Sequence, residues 1–136
     1  MNLDRFITAQ ASSYADALGE LRRGRKTGHW MWWIFPQLAT LGLSPTAKHY
    51  GIAGADEAGA YLAHPVLGPR LSEAMAAVAA APGTATAIMG GVDALKLRSS
   101  ATLFAAVATD PAPFRAVLDR FFGGEPDPLT LRLLAR

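Results

Sequence analysis

The sequence predicts an all-α domain made of several short helices in an orthogonal arrangement, not a simple up-down bundle. Three observations carry this. Apolar residues recur at three- and four-residue spacings along most of the chain. Three segments open with a capping residue followed by proline, at Ser44-Pro45, Asp110-Pro111 and Asp127-Pro128. Proline at a first helical position loses only a donor that has no partner there. Finally, no hairpin dipeptide joins two alternating runs.

The first helix spans residues 3–10, with Leu3, Phe6, Ile7 and Gln10 on one side. Ser13 is placed to cap the second, which carries Tyr14, Ala17, Leu18 and Leu21 and ends at Gly24. Residues 29–35, "HWMWWIF", favour a strand by propensity. No partner strand exists, and Pro36 turns the preceding residue away from the α region, so a two-turn helix is expected. A short helix closes with Tyr61 and Leu62 before His64-Pro65. A longer one covers residues 66–80, with Leu67, Leu71, Met75 and Val78 inward, and stops at Pro82-Gly83. Gly90-Gly91 reads as a stop only. Asp93 then opens a helix with Leu95, Leu103, Phe104 and Val107 inward. In the helix after Asp110-Pro111, Phe114, Val117, Leu118 and Phe121 form one stripe, and Gly123-Gly124 ends it.

Composition narrows the function. At 136 residues, with 51% hydrophobic and 18% charged positions, the chain suits one globular domain and not a disordered one. It has no cysteine, which excludes disulfides, thiolate metal sites and cysteine nucleophiles. His29, His49 and His64 are scattered, so no metal is expected, and no motif calls for a cofactor. A net charge of +2 argues against nucleic acid as a partner. No apolar run is long enough to span a bilayer and no secretory leader precedes the first helix, so a cytoplasmic protein without membrane contact is expected. Nothing in the chain sets its oligomeric state.

Two stretches concentrate chemistry. In "HWMWWIFPQ", residues 29–37, Trp30, Trp32 and Trp33 are the chain's three tryptophans. They cannot all enter one core, so at least one should reach a groove or a partner with its N–H bonded. The stretch is either a core cluster or a platform on which a flat ring stacks. In "DALKLRSS", residues 93–100, helical spacing brings Asp93, Lys96, Ser99 and Ser100 together. Such a set is a structural polar network, an anion site, or a Ser-Lys nucleophile.

The blocks "RFITAQ", "HWMWWIFPQL", "LGLSPTAKHYGI", "AYLAHPVLGPRL", "DALKLRSSATLF" and "VLDRFFGGEPDPLTLRLL" together resemble the bacterial domain of unknown function 1810 family over nearly the whole chain. The resemblance implies a small, mainly α-helical single domain and no particular activity. Trp33 stands where that family usually has phenylalanine, Ala101 where it has methionine, and Thr27-Gly28 where a serine usually precedes His29.

The expected function is binding of an anionic, flat-ringed small molecule such as a nucleotide or ADP-ribose derivative. Lys26, His29, Trp30, Trp32, Gln37, Lys96, Ser99 and Ser100 are the candidate ligand residues. One alternative is hydrolysis of ADP-ribosyl compounds, by loose similarity to the NADAR family of N-glycosidases, with Glu20, Asp93 or His29 as catalytic candidates. Another is a protein-interaction module using the tryptophan cluster. All three need the indole-rich segment and the Lys96 turn to share a water-reachable surface.

Overall fold

The computed structural model describes residues 1–135, and among these it has ten helices and no strand. The order is α1 (Asp4–Ala11), α2 (Tyr14–Arg23), α3 (Met31–Ile34), a 3-10 turn (Ala39–Leu41), α4 (Pro45–His49), α5 (Ala55–Ala63), α6 (Leu67–Ala80), α7 (Ala85–Met89), α8 (Gly91–Val107), α9 (Ala112–Phe122) and α10 (Pro128–Leu134). One parallel bridge pairs Leu38 with Ile52, through N–H···O bonds of 2.9 Å from Ala39 to Ile52 and from Ile52 to Gln37. No helix among the described residues is long and apolar enough to cross a membrane.

The connectivity is branched. The long α8 packs against α5, α7, α9 and α10, while α6 packs against α2, α5 and α9. An up-down bundle would pair mainly sequential neighbours. The core runs through Phe6, Leu21, Met31, Phe35, Tyr61, Leu71, Met75, Leu97, Phe104 and Phe114. Gly68 permits the tight α5–α6 corner: a Cβ there would lie 2.1 Å from the Leu62 carbonyl oxygen.

Local signals located two helix starts to the residue. Ser44 Oγ accepts from the Ala47 N–H at 3.1 Å and Asp127 Oδ2 from the Thr130 N–H at 3.1 Å, each with proline at the first helical position. Four expectations need correction. The two-turn helix expected over residues 29–35 is a single turn, Met31–Ile34. Pro111 sits at the cap of α9 and not inside it, with the Asp110 carboxylate bonded to the Ala112 N–H. A short helix, α7, precedes Gly90, capped by Thr84 Oγ1 accepting from Ala87 N–H at 3.1 Å. α8 begins at Gly91, two residues before Asp93; Leu103 and Phe104 are buried as expected, but the other inward apolar residues are Ala94, Leu97 and Ala101. Leu95 is 65% exposed. Surrounded by four helices, α8 has no single apolar stripe, so periodicity did not set its phase.

Candidate functional site

The site is built by the loop after α2. Gly24, in the left-handed region at φ 76°, ends that helix and turns the chain. The Lys26 N–H then donates to the Ile88 carbonyl at 2.8 Å, tying the loop to α7. Glu20, buried in the last turns of α2, folds the rest. Its Oε1 accepts from the N–H of Thr27 at 2.6 Å, the N–H of Gly28 at 2.7 Å and the indole N–H of Trp30 at 3.1 Å. Burial alone would raise the pKa of this carboxyl. The donors of Gly28, Thr27 and Trp30 outweigh it and hold Glu20 below the ordinary glutamate value. Gly28 has no room for a side chain, since a Cβ would stand 2.8 Å from Trp30 Cδ1.

Lys26 extends the chain of contacts. Its ammonium donates to the Gly28 carbonyl at 2.6 Å, pairs with Asp93 Oδ2 at 2.9 Å and lies 4.9 Å from the centre of the Trp30 ring system. Asp93, in the first turn of α8, also faces Lys96 at 3.6 Å. Lys96 in turn lies 5.0 Å over Trp32. The indole-rich segment and the Lys96 turn therefore meet. Trp30 is buried, while Trp32, Trp33 and Lys96 are partly exposed, so more than one tryptophan stays outside the core.

The remaining candidates divide. His29 is exposed in the same loop. Gln37 contributes its carbonyl to the Leu38–Ile52 bridge, and among the described residues its side chain makes no hydrogen bond to the patch. Ser99 turns toward α10, with its hydroxyl 3.3 Å from both the Leu95 carbonyl and Asp127 Oδ2. Ser100 is fully buried and its hydroxyl has no partner among the described residues, so it presents nothing to a ligand. Lys96 and the two serines thus face different surroundings, which removes the Ser-Lys arrangement. Three clefts of about 680, 270 and 280 Å³ open elsewhere on the surface, and none is lined by Lys26, His29, Trp32 or Lys96.

A second polar set was not anticipated. Gln10 is buried on α1 and donates through Nε2 to the Trp33 carbonyl at 2.8 Å and the Tyr61 hydroxyl at 3.0 Å. Its Oε1 faces Arg70 Nη1 at 3.4 Å. The Trp33 indole N–H donates to Ser13 Oγ at 2.8 Å, which uses Ser13 in place of a helix cap. One signal was legible: Gln10 is a polar residue at an inward position of an apolar stripe.

The family model described as a protein of unknown function (DUF1810) matches residues 1–134. This chain belongs to the DUF1810 family. The crystal structure of a conserved hypothetical protein, Rv1873 from Mycobacterium tuberculosis, is similar to this DUF1810 chain, with 49% identity and a TM-score of 0.96. The match covers 98% of this chain and 96% of that one. No functionally curated protein matches the DUF1810 chain.

Proposed function

We propose that this protein is a cytoplasmic binding domain for an anionic small molecule that carries a flat ring, such as a nucleotide or an ADP-ribose derivative. The carrying observation is the Lys96 ammonium, 5.0 Å over the partly exposed Trp32. A cation and an aromatic face that both reach water supply the two contacts such a ligand needs. Asp93, itself held by Lys26, faces Lys96 at 3.6 Å, and His29 lies exposed in the adjoining loop. Glu20 belongs to the scaffold of this surface, because the acceptor oxygen it offers is already filled by three donors.

The test is a melting-temperature series with nucleotides, NAD, ADP-ribose and inorganic phosphate on the wild type, Trp32→Ala and Lys96→Met. Ring-bearing phosphates should raise the wild-type Tm by mass action. Both variants should bind about tenfold more weakly, the size of a lost cation contact or aromatic stack. A flat response across the panel, or equal shifts in all three proteins, overturns the proposal.

A further inference from the structure

Arg70 stands apart from the other arginines that are partly buried. Arg5 pairs with Glu57 at 2.9 Å, and Arg98 donates to the carbonyls of Glu125 and Pro126 at 3.0 Å. Arg70 is also partly buried, yet among the described residues its guanidinium makes no ion pair and donates to no carbonyl. The one hydrogen bond of that guanidinium is the long 3.4 Å contact to Gln10 Oε1, while the Arg70 carbonyl accepts from the Tyr14 hydroxyl at 3.2 Å. A partly buried guanidinium with this little compensation keeps donor capacity that an anion can use.

The surroundings hold Arg70 in one pose without neutralising it. Gln10 is 2% exposed and Tyr61 0%, and their mutual bond together with the Trp33 carbonyl commits the Gln10 amide nitrogen. That fixes the amide oxygen toward Arg70. On another side the guanidinium carbon lies 4.9 Å from the centre of the Tyr14 ring. Burial and the Glu73 carboxylate push the Tyr14 phenol up, so it stays protonated and donates to Glu73. Glu73 is further engaged by Arg22 at 3.8 Å, which leaves Arg70 as the uncompensated charge of the group. Nε and Nη2 of Arg70 make no hydrogen bond among the described residues and, unlike Arg5 Nε, do not belong to the sealed unpartnered atoms.

We propose that Arg70 is an oxyanion-binding site: its free Nε–H and Nη2–H edge takes two oxygens of a carboxylate or phosphate group, on a seat made by Gln10, Tyr61 and the Tyr14 ring. This site is separate from the Lys96–Trp32 surface and does not rest on it. The two come nearest through Trp32 and Trp33, whose rings are 6.2 Å apart.

The experiment is a proton–nitrogen correlation NMR titration with inorganic phosphate, and separately acetate, at constant ionic strength with chloride as the control. In the wild type, the Arg70 Nε–H signal should shift saturably with at least one oxyanion and not with chloride. Lys96→Met should leave this response intact, which separates it from the ring-binding surface. Arg70→Lys keeps the charge but not the fork and, read from the backbone amide and Trp33 indole N–H signals that both proteins share, should bind about tenfold more weakly, as expected for the loss of one charge-assisted hydrogen bond. A wild-type Arg70 signal that moves equally in chloride, or does not saturate with either oxyanion, overturns the proposal. So does equal affinity in Arg70→Lys.

Discussion

Lys26 over Trp30 and Lys96 over Trp32 are the same contact built twice, at 4.9 and 5.0 Å, in different solvent. The Lys26 side chain is 9% exposed and also holds a carbonyl and a carboxylate. Lys96 is 24% exposed and shares the same Asp93 from farther away, at 3.6 Å. The first contact is saturated and serves the fold. The second keeps ammonium donors and an aromatic surface facing water. Residue type alone does not separate them; the number of partners and the depth do.

That contrast can be broken most severely at Glu20. Glu20→Ala orphans two backbone N–H groups and an indole N–H inside the loop, and should cost about 3 kcal/mol or more in chemical denaturation. A loss below about 1 kcal/mol would mean that the loop is held by Lys26 and not by the carboxylate.

The same group sets a pH limit. Because the folded pKa of Glu20 lies below its unfolded value, its contribution is complete above the unfolded pKa. It is lost as pH falls through the lower, folded pKa. Denaturation midpoints measured down that acidic range should drop in the wild type, and Glu20→Gln should remove its share of the drop. A profile that is unchanged by the substitution would reassign the acid sensitivity to another carboxylate.

The lysines sharpen the comparison with smaller effects. Lys26→Met should cost about 2 kcal/mol, since it strips the Gly28 carbonyl and leaves Asp93 with its weaker partner. Lys96→Met should cost less than about 1 kcal/mol in the same denaturation series. Equal losses would show that the two contacts are both structural.

How much was legible in the chain follows the range of each interaction. Ser44-Pro45 and Asp127-Pro128 state their helix starts within four residues, and the structure keeps both. The meeting of Lys96 with the tryptophans was expected only as a juxtaposition, because nothing within either segment encodes it. Glu20 was weighed as a catalytic carboxylate, whereas its three donors come from residues seven to ten positions on, in a loop with no periodic pattern. Gln10 and Tyr61 are 51 positions apart, and Gln10 and Arg70 are 60 apart. Only the packing of α1 on its neighbours brings them together. Leu95 shows the reverse failure: a leucine at helical spacing reads as core, yet the neighbours of α8 select Leu97.

The crowding of Trp30, Trp32 and Trp33 into one turn has an optical consequence. Every indole photon this protein emits originates within four positions of the proposed ligand surface. The buried Trp30 supplies a component shielded from dissolved quenchers, and the water-facing Trp32 one that they reach. The molecule thus carries a label-free reporter at the place where occupancy matters, and its emission colour tracks that surface.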